Sequence, residues 1–194
     1  MEKVSYALGL SLGNNFLSSG ISNLSYTKIA KGIQDVLDQN EPEISHQEAQ
    51  EIINNFFEKL QIKASENALQ EGKTFLENNA KRSEVVTLKS GLQYEIITVG
   101  TGNVPTASDK VNVHYHGLLI DGTVFDSSVN RGEPATFGVT QVISGWVEAL
   151  QLMPVGSKWK LFIPSELAYG AQGAGKSIAP HTTLIFEVEL LKII

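Results

Sequence analysis

Glycine and proline are spread so unevenly along this chain that they divide it into two kinds of structure. Of the 17 glycines, 12 lie in residues 84–194, and so do five of the six prolines: Pro105, Pro134, Pro154, Pro164 and Pro180. Both residue types mark turns, and proline interrupts helices. The first 83 residues can therefore build helices, and the remainder should be short strands joined by turns. With 194 residues in total, the chain has room for one large domain or two small ones.

The first part carries helical periodicity. Val4, Leu8, Leu12 and Phe16 recur every four residues and share one helix face. Gly20 ends this helix. Ser25 caps a second, in which Tyr26, Ile29, Ala30, Ile33, Val36 and Leu37 follow the same spacing, and Pro42 breaks the chain. Ser45-His46-Gln47-Glu48 is a capping box, in which serine and glutamate satisfy each other's free backbone N–H groups. The helix it opens should run to about Lys81, roughly 36 residues or ~54 Å. Its beginning is richly apolar: Ile52, Ile53, Phe56, Phe57 and Leu60. From Gln61 onward the apolar positions thin to a narrow stripe, chiefly Ile62, Leu69 and Leu76. A helix that is mostly polar all round is expected to be a solvated spacer between domains. The short helices before it offer a small core, with large apolar side chains on more than one face. A second copy of the chain is the simplest cover for them. The alternative is a small monomeric three-helix bundle with a frayed end.

The second part reads as strands over 85–89, 92–99, 110–120, a segment around Phe125, 157–163 and 183–193. In the third of these, Val111, Val113 and Tyr115 take one face and Asn112, His114 and His116 the other. A short helix is expected after Trp146, containing Glu148, Ala149 and Leu150 and ending before Pro154. The class is α+β, with an antiparallel sheet packed on one helix.

Several kinds of function are excluded or disfavoured. No apolar run approaches the ~20 residues that span a bilayer. The net charge of −6 argues against a nucleic-acid or anionic-membrane partner. Without cysteine there is no disulfide, no thiolate metal site and no thiol nucleophile. The N-terminus lacks the basic-then-apolar pattern of a signal peptide, which points to the cytoplasm, with a periplasmic or exported protein as the alternative if a signal was removed. Residues 170–177 spell G-x-x-x-x-G-K-S, a phosphate-binding pattern. That loop needs a strand before it and a helix after it, whereas Pro164 closes the preceding strand and Pro180 stands in the way of a helix. His114 and His116 share a strand face, but no third ligand stands at metal-site spacing. No cofactor and no metal is expected.

What remains is aromatic. Tyr94, Tyr115, Phe125, Phe137, Trp146, Trp159, Phe162, Tyr169 and Phe186 all fall in the second part. Trp159, Phe162 and Tyr94 are assigned to the core or the domain surface, although pattern alone does not separate core aromatics from pocket aromatics. The stretch Val113-His114-Tyr115-His116-Gly117, followed by residues 121–128 (Asp-Gly-Thr-Val-Phe-Asp-Ser-Ser), resembles the opening of an FKBP-type peptidyl-prolyl cis-trans isomerase. Residues 141–146 (Gln-Val-Ile-Ser-Gly-Trp), Ala168-Tyr169-Gly170 and residues 184–191 (Leu-Ile-Phe-Glu-Val-Glu-Leu-Leu) do so too, in the family's order and spacing. The helical part is similar to the dimerisation region and connecting helix of the two-domain bacterial branch, the macrophage-infectivity-potentiator-like proteins.

The resemblance implies a helical dimerisation domain over residues 1–60 and a connecting helix over 61–83. Over 84–194 it implies an FKBP-like half-barrel wrapped on a short helix. It places Trp146 at the floor of a proline pocket, with Tyr115, Phe125 and Phe186 as walls. Val142 and Ile143 form one edge, with the Ile143 N–H facing a substrate carbonyl. Asp126 and Tyr169 make polar contacts, and Phe137 and Ile178 lie at the rim. Ala135, Ala174 and Ala179 depart from residues that some relatives carry at the rim and flap. The implied partners are proline-containing unfolded or partly folded polypeptides, a second copy of the chain, and rapamycin-like macrolides as inhibitors. The rival reading is a chaperone or partner-binding module in which catalysis is incidental.

Overall fold

The computed structural model describes residues 1–175 and 177–194 as two compact units, Met1–Ile62 and Lys63–Ile194. Lys176, the lysine of the phosphate-loop pattern, lies outside the described residues.

The first unit consists of α1 (Glu2–Ser18), α2 (Tyr26–Leu37) and the beginning of α3 (His46–Asn79). Gly20 follows α1 at φ +70°, a conformation that favours glycine. The Ser25 hydroxyl accepts the Lys28 N–H and the Ser45 hydroxyl accepts the Glu48 N–H, so each serine satisfies one of the free donors at its helix start. Asp35, held by Lys31 and by the Asn40 amide, is the sole buried residue of this unit. The α1 stripe stands open, with Val4 58% and Leu8 62% exposed, and so do Ile52, Ile53, Phe56 and Phe57 of α3. No helix among the described residues is long and apolar enough to cross a membrane.

The second unit holds the core. Seven antiparallel strands, β1 (Val85–Thr87), β2 (Gln93–Thr98), β3 (Lys110–Leu119), β4 (Val124–Ser127), β5 (Ala135–Gly138), β6 (Lys158–Ile163) and β7 (Leu184–Ile193), form one sheet. The order is β1-β2-β6-β7-β3-β4, with β5 also paired to β3. The expected alternation in β3 is present: Val111, Val113 and Tyr115 are buried, while Asn112, His114 and His116 face the other way, half-buried. Buried residues of β6 and β7, Trp159, Leu161, Ile163, Leu184, Phe186, Val188 and Leu190, extend the same core. On it lies α5 (Ser144–Leu150), which starts before Trp146 rather than after it and buries Trp146, Ala149 and Leu150. A Cβ at Gly145 would come within 2.6 Å of Ile163, so only glycine lets α5 approach β6 this closely.

Two short elements escape sequence periodicity: β5, and the single turn α4 (Ser128–Arg131). The last turns of α3, from Gly72 on, depart from the solvated-spacer expectation. Gly72 and Asn79 are buried, and the Phe75 ring packs on Phe162 at 6.0 Å. The Asn79 amide donates to Gln93 Oε1 at 2.8 Å, and Gln93 Nε2 donates to the Leu76 carbonyl at 3.0 Å. Polar side chains buried in this way pair with each other, which makes the last turns of α3 part of the second unit's packing.

Candidate active site

β3, β4, β5, β7, α5 and the segment near Tyr169 together enclose a cavity of about 400 Å³. Trp146, 4% exposed, contacts three of the other rings. Tyr115, Phe137 and Phe186 meet the indole edge-on, at 5.5, 5.9 and 5.2 Å, and Phe125 meets Phe186 edge-on at 5.4 Å. Edge-to-face contact sets the positive ring edge against the negative ring face, and it fixes the rings relative to each other. The backbone makes room for this. Gly117 on β3 sits opposite Phe186 on β7 and Asp126 on β4. A Cβ there would lie 2.7 Å from Phe125 and 2.9 Å from Phe186.

One polar cluster borders the cup. The Tyr115 hydroxyl donates to Asp126 Oδ2 at 2.5 Å and accepts from an Arg131 guanidinium nitrogen at 2.7 Å. Arg131 also pairs with the other Asp126 oxygen, and its guanidinium lies 5.5 Å from the Tyr115 ring centre. Burial pushes the Tyr115 hydroxyl above its ordinary pKa, and the bond to Asp126 adds to the rise; Arg131 pulls it down without cancelling it. Burial also works to raise Asp126. There the Tyr115 hydroxyl and the Arg131 guanidinium together prevail and hold the carboxyl below its usual value.

Local structure places Arg131. The Ser127 hydroxyl accepts the Asn130 N–H to open α4, and Gly132 at φ +76° closes it. Ser128, fully buried, accepts the Tyr115 N–H at 2.7 Å and contacts the Tyr115 carbonyl at 3.2 Å. The side chain thus continues the β3–β4 ladder past its last backbone pair, His116 with Ser127.

Of the residues named from the sequence, Tyr115, Phe125, Asp126, Phe137, Val142, Ile143, Trp146, Tyr169 and Phe186 line this one cavity. Phe137, expected at the rim, packs directly on Trp146. Ile178 is not among the lining residues; it is 7% exposed and bridges Ala174. Trp159, stacked on Tyr94 at 4.3 Å, belongs to the core. Arg131 and Gln141 were not foreseen. A serine cap and a glycine stop bracketing Asn130-Arg131 would have signalled α4.

The two histidines pair with the two serines, His114 Nδ1 to Ser128 Oγ at 3.1 Å and His116 Nδ1 to Ser127 Oγ at 2.8 Å. Among the described residues, no group of three or more His, Cys, Asp or Glu is arranged to hold a metal. The loop over 170–177 makes a 3₁₀ turn at Gly170–Gln172 and an Ala174–Ile178 bridge, with no helix leading out through Ser177 and Ile178.

Comparison with known proteins agrees with this architecture. Residues 102–191 match the model of the FKBP-type peptidyl-prolyl cis-trans isomerase family, and residues 1–96 match the domain found amino-terminal to it. The chain is 48% identical to the FKBP-type 22 kDa peptidyl-prolyl cis-trans isomerase of Escherichia coli, over 99% of this chain and 95% of that protein. It is 44% identical to the outer membrane protein MIP of Legionella longbeachae, over 99% and 85%. The crystal structure of FkpA from Escherichia coli superimposes with a TM-score of 0.79 at 38% identity, covering 98% of this chain and 95% of that one.

Proposed function

Because the chain belongs to the FKBP-type peptidyl-prolyl cis-trans isomerase family, we propose that its isomerase centre is the cup around Trp146, acting on X-Pro bonds of folding polypeptides. The observation that carries this assignment is the set of aromatic rings locked edge-on around a buried tryptophan, bordered by a polar cluster that is paired within itself.

Resonance stiffens the peptide C–N bond, and rotation meets a barrier of ~18–20 kcal/mol. At X-Pro both isomers are populated, yet they exchange only over tens to hundreds of seconds. Twisting the bond breaks the resonance and makes the carbonyl less polar. An apolar cup therefore disfavours the planar imide relative to the twisted one, and a fit to the twisted proline adds differential binding. Shortening the lifetime by ~10⁴ requires about 5–6 kcal/mol.

In this reading the proline ring rests on Trp146 between Tyr115, Phe125, Phe137 and Phe186. Val142 and Ile143 form an edge, with the Ile143 N–H toward a substrate carbonyl, and Asp126 and Tyr169 supply polar contacts. Ile178, buried in the core cluster and bridged to Ala174, backs the rim. Arg131 is a positioning residue, acting through Asp126 and Tyr115. The test is a prolyl-tetrapeptide assay on Trp146→Leu. A large loss of kcat/KM with the fold retained is expected, and a wild-type rate would refute the assignment. Rapamycin should compete for the same cup.

The helical unit serves as the dimerisation domain in this reading, because its apolar side chains have no core of their own to enter. Two cups on one dimer hold a large client at two points and so add chaperone action, while a short peptide fills one. Sedimentation of the full chain as a monomer would remove that premise. The likeness to a relative called an outer membrane protein favours the exported compartment over the cytoplasm, which fractionation of the source cells would decide.

A further inference from the structure

The face of the sheet turned away from the cup carries a second cavity. Phe162 and Ile185 stand opposite each other on β6 and β7. Their chain neighbours Leu161 and Phe186 are paired in the same way and belong to the core, so Phe162 and Ile185 point outward. α3 packs here through Phe75, whose ring lies 6.0 Å from that of Phe162. With Asn78, Asn79, Arg82 and Lys160 these residues line about 390 Å³, nearly the volume of the cup.

The polar side chains around this groove are unevenly spent. Asn79 donates to Gln93, and its oxygen accepts from Arg82. The Asn78 oxygen accepts the Lys81 ammonium. Arg82 gives its other hydrogen bonds to Glu84 and Glu95. Lys160 is the cation left over. In register it stands between Glu95 on β2 and Glu187 on β7. Each of those carboxylates has a closer cation: Glu95 holds Arg82 at 2.7 Å and Glu187 holds Lys158 at 3.0 Å, while Lys160 is 4.0 Å from Glu187. Among the described residues, the unspent side-chain groups at the groove are the Lys160 ammonium, the Asn78 amide N–H groups and one Arg82 N–H. All are donors, and no side-chain acceptor is left over. The floor is apolar: Phe75 and Ile185, with Phe162 beneath the Arg82 guanidinium at 5.9 Å. The complementary ligand has an apolar body and brings acceptor oxygens with a negative charge.

A carboxylate beside an apolar side chain, with an amide carbonyl behind it, is the end of a polypeptide chain. The rim is open, with 39% of the Arg82 side chain and 32% of the Lys160 side chain in water, so the rest of a chain can leave the groove. We propose that this groove binds the C-terminal residue of a polypeptide, with its apolar side chain against Phe75 and Ile185 and its carboxylate on Lys160, independently of proline and of the cup.

The experiment uses the full chain and the proline-free peptide N-acetyl-Ala-Ala-Phe, as the free acid and as the C-terminal amide. In calorimetry the acid should bind about tenfold more tightly than the amide, the range of a hydrogen bond to a charged group. Lys160→Gln should abolish that preference. Asn78→Asp, which replaces a donor by a like charge, should weaken the acid by a similar factor. Both side chains reach water, so thermal unfolding and tetrapeptide kcat/KM of the two variants should stay near wild type. In heteronuclear NMR spectra the backbone signals of Lys160, Phe162 and Ile185 should move on titration, and the Trp146 indole signal should stay in place. Equal affinity for acid and amide overturns the proposal, as does undiminished binding of the acid to Lys160→Gln. Movement of the Trp146 indole signal, or loss of binding in Trp146→Leu, would place the peptide in the cup instead. Phenylacetate binding as tightly as the peptide acid would make the groove a pocket for small acids and overturn the chain-end assignment.

Discussion

Asn79→Ala should weaken the second unit without touching its chemistry. Asn79 is 6% exposed and Gln93 4%, and the amide of one donates to the amide oxygen of the other at 2.8 Å. Truncation removes that donor and leaves Gln93 Oε1 buried and unpaired, which costs about 1–3 kcal/mol. Arg82 also loses a contact at 3.0 Å, but it retains Glu84 and Glu95 at 2.7 Å and is partly in water, so it adds little. At ~3 °C per kcal/mol, the unit's melting temperature should fall by roughly 3–9 °C in calorimetry. No cup-lining residue is involved, so kcat/KM on a prolyl tetrapeptide well below the transition should stay within about twofold, inside the scatter of non-additive neighbours. Replacing both partners by leucine should recover most of the loss, because no orphaned amide remains. The Leu76 carbonyl, which Gln93 also binds, would still accept the Ala80 N–H at 2.9 Å. An unchanged melting temperature in Asn79→Ala, or a double variant no better than the single, would refute this account. By the same logic, a fragment starting at residue 84 loses Phe75, Asn79 and Arg82. It should melt below one starting at residue 63.

Gly117→Ala forces a methyl against Phe125 and Phe186, and overpacking of this kind costs about 1–3 kcal/mol; activity should fall with stability, and a fully active variant would show that the two rings do not need their observed places. Asp126, held below its usual pKa, contributes stability that is present above about pH 4 and is lost as pH falls through its folded value. Tyr115, held above its usual pKa, contributes stability present below about pH 10 and lost as pH rises through its folded value. The pH–rate profile should therefore be level between about pH 5 and 9, and a step near neutrality would point to a titrating group outside this cluster. Leu8→Glu, on the open stripe of α1, should shift the sedimenting species from dimer to monomer while peptide turnover per chain stays the same; a dimer that persists would move the interface elsewhere.

Legibility follows the range of the forces involved. The three long helices could be read because caps and the four-residue spacing act within a turn or two: Ser25, Ser45 and Gly20 mark real ends, and α3 closes at Asn79, close to the expected Lys81. β5 and α4 are four residues each, too short to show a period. Their existence depends on partners distant in sequence, β3 for one and the Tyr115–Asp126 pair for the other. The docking of α3 was hidden for a similar reason. Asn79 looks like a solvent residue until Gln93 comes to meet it, and Gly72 looks like a weak helix position until Thr183 lies where its Cβ would be. The aromatics were visible as a group, but their division was not: Trp146 joins the cup and Trp159 stacks on Tyr94 in the core, although both are nearly buried tryptophans. Motif resemblance, rather than pattern, drew that line.

The direction of the Tyr115 shift bears on how such a cup can work. One route to faster rotation is to hand a proton to the prolyl nitrogen as resonance is lost, and Tyr115 is one of the two tyrosines that line the cup. Its environment works against the task. Burial and Asp126 raise its pKa, which makes it a weaker acid, and its hydrogen is already directed to the carboxylate at 2.5 Å. Its lone pair receives Arg131, and the guanidinium charge is matched by Asp126. The cluster thus consumes its own donors and charges at the border of the cup. Beside the Asp126 carboxylate, what it presents to the cavity is the Tyr115 ring, held at a fixed tilt to Phe137 and Phe186. The polar residues and the aromatic ones then serve a single end. Hydrogen bonds on one side immobilise a wall whose other side is apolar, and the twisted imide meets a surface already arranged for it.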